Sequence, residues 1–102
     1  MRLWLATLLL VTALGCARRN FDTVCQLAKD ILAEPRIEPG QRLERFRTQL
    51  SHLASGEALT AANKALAASP DQRFDAFMAV AAEAAPGWSC AALEPVLEAP
   101  NP

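Results

Sequence analysis

The sequence predicts an all-α domain, a small bundle of about four short helices plus a C-terminal turn, tied by one disulfide. Apolar residues recur at helical spacing in four segments, and proline or glycine separates these segments. The chain is rich in alanine and leucine, contains no tyrosine and has few β-branched residues, a composition that favours helix over sheet. Two cysteines lie near opposite ends of the domain, where a bond between them would join its first and last parts.

The N-terminal segment, residues 1–16, has the pattern of an export signal. Arg2 provides a short positive head, and residues 3–14 form a largely apolar run of signal-peptide length. A helix of this length covers only part of a hydrocarbon core about 30 Å thick, so the segment fits a signal peptide better than a membrane span. We therefore expect the rest of the chain to fold outside the cytosol.

The end of this segment, Ala13-Leu14-Gly15-Cys16, resembles the lipobox of bacterial lipoproteins. The resemblance implies that Cys16 is acylated, becomes the mature N-terminus and attaches the protein to the membrane of a bacterial envelope. In a Gram-negative cell it implies the outer membrane, because the next residue is Ala17 rather than Asp. Two alternatives stay open. Signal peptidase could cut after Ala17 and release a secreted protein, or Arg18 and Arg19 could oppose translocation and leave an uncleaved anchor.

Removal of the signal leaves roughly 86 residues, which is enough for one domain. In an oxidising compartment, Cys25 and Cys90 are most simply interpreted as one disulfide. The chain-entropy estimate for so long a loop is about 4 kcal/mol. The alternative is that both residues are buried thiols of a cytosolic protein.

Residues 17–20 are predicted to form a short tether, followed by a first helix over residues 21–34 with Asn20 as its cap. The apolar residues of this helix follow the i, i+3, i+4, i+7 spacing, which directs Cys25 inward. The predicted stripe consists of Phe21, Val24, Cys25, Ala28, Ile31 and Leu32. Pro35 should end the helix, because the residue before a proline avoids the helical conformation.

A second helix is predicted over residues 41–54, after a connector bounded by prolines. Its apolar face carries Leu43, Phe46, Leu50 and Leu53. Its polar side is rich in arginine and fits a solvated surface with local ion pairs. A sharper interpretation is a small patch for an acidic partner or a phosphate, formed by Arg36, Arg42, Arg45 and Arg47. No aromatic residues interleave with these arginines, which disfavours nucleic acid as a partner.

Ser55-Gly56 predicts a break, because a continuous helix would place the next apolar residues about 150° away from the preceding set. A third helix over residues 57–68, capped by Ser55, would bury Leu59, Ala62 and Leu66. The alternative is one helix that runs through the glycine at a cost of about 1 kcal/mol.

Ser69, Pro70 and Gln72 form a capping-box pattern at the start of a fourth helix over residues 70–85. Arg73 is expected to lie away from the centre of its buried stripe. That stripe consists of Phe74, Phe77, Met78, Ala81, Ala84 and Ala85.

After the fourth helix, Trp88 is expected to approach the first helix and cover the disulfide. Ser89 could cap a short helix over residues 90–94, which Pro95 would halt. The helical domain is thus predicted to span residues 21–95, and residues 96–102 are expected to fray.

The sequence does not indicate catalysis, metal binding or a cofactor. The single histidine, His52, lies on the polar side of its helix, while Ser69 and Ser89 are better explained as caps, so no nucleophile–base pair is expected. The chain has neither a Cys-x-x-Cys motif nor a paired histidine for zinc. Its net charge of −1 gives no overall basic field to attract nucleic acid or anionic lipid.

The leading hypothesis is a non-catalytic exported helical protein, a lipid-anchored interaction module that binds another, unidentified protein of the bacterial envelope. Its candidate surface is the arginine face with Arg42, Arg45 and His52, or a groove beside Trp88. One alternative is a structural or stress-related envelope lipoprotein without a discrete site. The other is a secreted carrier of a small ligand, with a cavity between the first and fourth helices.

Overall fold

The computed structural model describes the backbone of residues 2–99 and the side chains of residues 17–99. Over this range the fold is all-α and contains no strand, as the sequence predicts. Its five helices are α1 (Arg2–Ala33), α2 (Arg42–Leu53), α3 (Gly56–Ala67), α4 (Arg73–Ala84) and α5 (Leu93–Leu97). Short 3-10 turns, Pro39–Gln41 and Pro70–Gln72, lead into α2 and α4.

Helix α1 is longer than predicted, because it continues N-terminally through the segment expected to be a tether. Residues 17–20 are helical, so Asn20 does not begin the helix. No proline interrupts this stretch, and residues 18 and 20 contact the rest of the bundle. The Arg18 Nη2 atom donates a 2.6 Å hydrogen bond to the Pro86 carbonyl oxygen. Asn20 also packs beside Gly56 at the start of α3.

The core is built mainly on the apolar face of α1, with α2 and α5 beside it. Five of the six residues predicted for the α1 stripe are buried, and Leu32 is half-buried. In α2, Leu43, Phe46 and Leu50 are buried as predicted, but Leu53 is 52% exposed. The prediction for Leu53 is wrong because α2 ends at this residue and the next residue, Ala54, turns inward to take its place in the core.

Helices α2 and α3 are separate, which confirms the predicted break. The backbone is extended at Ala54 and Ser55, and Gly56 has a φ of +60°, a conformation that glycine adopts more readily than other residues. Of the residues predicted for the buried face of α3, Ala62 is buried, whereas Leu59 and Leu66 are half-buried at its edge. The buried residues are Ala58, Ala61, Ala62 and Ala65. These small side chains let α3 approach α4 closely.

The start of α4 is shaped by backbone bonds rather than by the predicted capping box. The Ser69 side chain makes no capping hydrogen bond; instead the Gln72 amide donates to the Ser69 carbonyl oxygen at 2.8 Å. Of the predicted stripe, Phe77, Ala81 and Ala85 are fully buried, and the other three residues are half-buried.

Arg73, which was expected to lie away from the centre of the stripe, is only 8% exposed. Its Nη1 atom donates to the Leu97 carbonyl oxygen at 3.3 Å. This bond places the guanidinium against the end of α5, so the prediction for Arg73 is wrong.

The segment after Pro95 is ordered against the core, in contrast to the predicted fraying of residues 96–102. Val96 and Leu97 in α5 are fully buried, and Ala99 is nearly so. Pro95 is the third residue of α5 and does not halt it, because the first-turn amides of a helix have no intrahelical acceptor and a proline there forfeits no bond. Residues 100–102 lie outside the described residues.

Three segments meet at one end of the bundle, which we call the Arg18 end. They are residues 18–20 of α1, the turn from Leu53 to Gly56, and the turn at Pro86 and Gly87. Helix α1 runs from this end toward the connector that leads to α2. Its rise from Ala17 to Ala33 is about 24 Å at 1.5 Å per residue, so the connector lies at the opposite end of the bundle.

Candidate functional site

An open groove of about 610 Å³ lies where α1 ends and α2 begins. We call it the α2 groove. It is lined by Glu34, Arg36, Ile37, Gln41, Glu44, Arg45, Thr48 and Gln49. One wall is thus the connector between the two helices, and the other runs from Gln41, just before α2, to Gln49 within it.

The connector wall takes its shape from Pro35 and from short-range hydrogen bonds. Pro35 ends α1, and the Glu34 carboxylate then accepts a 3.1 Å bond from the Arg36 amide. The Ile37 amide donates to the Glu34 carbonyl oxygen at 3.3 Å, which closes the turn. Ile37 is half-buried against the core, so it gives the groove one apolar contact point between charged side chains.

The helical wall follows from the periodicity of α2. Residues 41, 44, 45, 48 and 49 recur at i, i+3, i+4, i+7 and i+8, so they share one side of the helix. The buried residues Leu43, Phe46 and Leu50 lie on the opposite side. The same periodicity that fastens α2 to the core therefore directs this polar stripe into the groove.

The groove carries charges of both signs. Arg36 and Arg45 supply guanidinium groups, while Glu34 and Glu44 supply carboxylates, and all four residues are exposed. A surface with both signs suits a partner of complementary pattern better than a simple anion such as phosphate.

The arginine cluster predicted from the sequence is only partly assembled. Arg36 and Arg45 line the groove, whereas Arg42 and Arg47 do not. Arg42 is half-buried, and its Nε atom is shielded from solvent without a hydrogen-bond partner among the described residues. His52 is exposed on the same side of α2 as Arg45 but about two turns further along, near the Arg18 end.

Trp88 is an interior residue and does not form an exposed surface for a partner. It is 7% exposed, and its ring lies 5.1 Å from that of Phe21 and 6.1 Å from that of Phe77 between centroids. The indole Nε1 atom donates a 2.8 Å hydrogen bond to the Asp22 carboxylate. The expected partner groove beside Trp88 is therefore not supported, because the ring is used in packing.

The same aromatic cluster occupies the region between α1 and α4. Phe21 of α1 and Phe77 of α4 meet edge to face, with ring centroids 5.7 Å apart. The ligand-carrier hypothesis needs a cavity in this region, and this packing gives it no support.

A disulfide joins Cys25 of α1 to Cys90 in the segment before α5, as predicted. The two Cα atoms are 5.9 Å apart and the residues are 65 positions apart in the sequence. Both cysteines are buried, so the bond links the C-terminal part of α1 to the C-terminal segment within the core. Cys16 belongs to α1, but its side chain lies outside the described residues.

Three threonine hydroxyl groups are engaged within their own helices. The hydroxyl groups of Thr23, Thr48 and Thr60 each donate to the carbonyl oxygen four residues earlier in their helix. Within the described part of the chain, no group of three or more Asp, Glu, His or Cys residues is placed to hold a metal ion. Nor does any helix over the described residues combine the length and apolar character needed to span a membrane.

Comparison with known proteins gives no relative: no protein-family model, curated protein or solved structure matches the chain.

Sequence reasoning missed most of the groove, including Glu34, Gln41, Glu44 and Thr48. The i, i+3, i+4 spacing of the polar residues of α2 could have identified the helical wall. No local signal shows that the connector folds beside that wall, because this contact joins residues from two different elements.

Proposed function

We propose that this chain is a non-catalytic exported helical protein, a lipid-anchored interaction module of the bacterial envelope that binds another protein through the α2 groove. The observation that carries the binding role is the groove itself, an open surface of mixed charge around one apolar side chain, Ile37.

The character of the groove favours a protein over a small ligand. Small-molecule sites are usually enclosed and mostly apolar, with a few placed polar groups. The α2 groove is open, and seven of its eight lining residues are polar or charged. A protein surface can match both signs of charge and place one apolar side chain against Ile37, which provides specificity.

Export and anchoring are supported by the N-terminal segment together with the disulfide. Residues 1–16 have the pattern of a signal peptide and end in a lipobox-like motif at Cys16. The Cys25–Cys90 bond suits an oxidising compartment outside the cytosol, where disulfides persist.

The test is a charge reversal in the groove with a matched control on the same helix. Tagged protein is crosslinked in cells, and its partners are identified by mass spectrometry. Arg36→Glu combined with Arg45→Glu should abolish capture of a specific envelope protein. Arg47→Glu, an exposed position of α2 outside the groove, should leave capture unchanged.

Loss of the partner in both variants, or in neither, would contradict a role for the groove. If the groove variant also restored every phenotype of a deletion strain, the structural-lipoprotein alternative would be favoured instead.

A further inference from the structure

Cys16 is joined to the core by continuous helix rather than by a flexible tether. Cys16 and Phe21 lie on the same helix, five residues apart, which corresponds to a rise of about 7.5 Å. Ala17 and Asn20 are half-buried, and Arg18 is bonded to Pro86 across the bundle. A lipid on Cys16 would therefore be coupled directly to a rigid body.

The surface around this helix turn has the chemistry of a membrane-facing end. Arg18 and Arg19 are exposed, and the guanidinium of Arg18 uses one of its five donors for Pro86. Leu53 at this end is the exposed large apolar residue of the described chain. Glu57 is exposed in the first turn of α3 and offsets part of the positive charge.

We propose that the Arg18 end rests on the phosphate and headgroup layer of the membrane that holds Cys16, so that the connector wall of the α2 groove lies at the end of the bundle away from the bilayer. This inference rests on the proposed lipid anchor and adds the orientation to it. The overall charge does not draw the protein to a membrane, but the anchor places Arg18 and Arg19 where a local contact with lipid phosphates forms.

The orientation defines the partner's position. Helix α1 separates the Arg18 end from the connector wall of the groove by about 24 Å. The groove therefore binds a protein that approaches from the aqueous side rather than one lying in the headgroup layer.

The test compares two fluorescent labels on acylated protein purified from membranes and placed in phosphatidylethanolamine–phosphatidylglycerol vesicles. The vesicles contain a lipid with a nitroxide on its headgroup. One label is attached at Ser55→Cys, at the Arg18 end, and the other at Glu38→Cys, beside the groove; both positions are exposed. We expect several-fold stronger quenching at position 55 than at position 38.

Two further variants separate the contributions of rigidity and charge. A flexible Gly-Ser insertion between Ala17 and Arg18 should remove most of the difference between the labels. Arg19→Glu should weaken quenching at position 55, whereas Arg47→Glu should not.

Equal quenching of the two labels on acylated protein would overturn the orientation while leaving the proposed function intact. If quenching at position 55 depended on the density of protein in the bilayer, the Arg18 end would be in contact with a second copy of the chain. This result would also overturn the proposed orientation. An intact mass without acyl chains would remove the anchor, and with it both proposals.

Discussion

Removal of the Cys25–Cys90 bond by a double substitution, Cys25→Ala with Cys90→Ala, should cost a large part of the stability of the fold. The bond closes a loop with a sequence separation of 65. The chain-entropy relation gives about 4 kcal/mol for a loop of this length, because the bond restricts the unfolded chain. The net stability of a small domain is about 5–15 kcal/mol, so this is a major share.

Thermal unfolding followed by circular dichroism provides the assay. For a domain of this size each 1 kcal/mol shifts Tm by about 4–8 °C, so a fall of roughly 15–30 °C is expected. The matched control is Cys16→Ser, which removes the third cysteine without touching the bond and should leave the free energy of unfolding unchanged. Denaturant unfolding gives the same quantity independently of Tm.

A loss below about 1 kcal/mol, the size of an ordinary point substitution, would show that the bond is not a major source of stability. It would mean that α5 and the segment before it are held by packing alone, or that the unfolded chain is already compact without the bond.

Three further predictions concern packing and buried polar groups. A double-mutant cycle on Trp88→Phe and Asp22→Ala should give a coupling free energy of about 1 kcal/mol, because the cycle isolates the hydrogen bond between the indole and the carboxylate. A coupling free energy near zero would contradict that contact. Ala62→Leu should destabilise the protein by about 1–3 kcal/mol in urea unfolding, since the residue is fully buried in α3 and the added atoms overpack the core. Arg73→Ala should lower the free energy of unfolding by about 2 kcal/mol, because it removes the hydrogen bond to Leu97 and the packing of the aliphatic part of the side chain. Arg73→Met should lower it less, because methionine keeps most of that aliphatic part. An equal loss in both variants would show that the guanidinium accounts for the whole effect.

Local signals in the sequence predicted the fold class and most helix boundaries correctly. Pro35 ends α1 within one residue of the predicted position, and the break at Ser55-Gly56 separates α2 from α3. These signals succeed because proline and glycine act on the backbone at their own position, independently of the tertiary structure.

The buried face of α3 could not be predicted in the same way. The spacing of apolar residues predicted a stripe of Leu59, Ala62 and Leu66, whereas the helix buries Ala62 together with three other alanines and leaves both leucines half-buried. Which stripe of an apolar helix is buried depends on the neighbours it packs against, and α3 packs mainly against α4.

The C-terminal segment shows the same limit. Pro95 and the other breakers suggested fraying, but the bond to Cys25 brings the segment onto the core, where Val96 and Leu97 find apolar contacts. The sequence predicted the disulfide. It did not predict that the residues after Cys90 would be buried, because this depends on how close they lie to the core in the folded chain.

The proposed export requires that the helices assemble outside the cytosol, where two sulfur atoms are oxidised into a bond between α1 and the segment before α5. The most direct test is intact mass spectrometry of protein isolated from cells and alkylated without reductant. We expect a chain that begins at an acylated Cys16, is lighter by two hydrogen atoms than the dithiol, and takes up no alkyl group at Cys25 or Cys90. A chain that begins at Met1 with all three cysteines alkylated would contradict it.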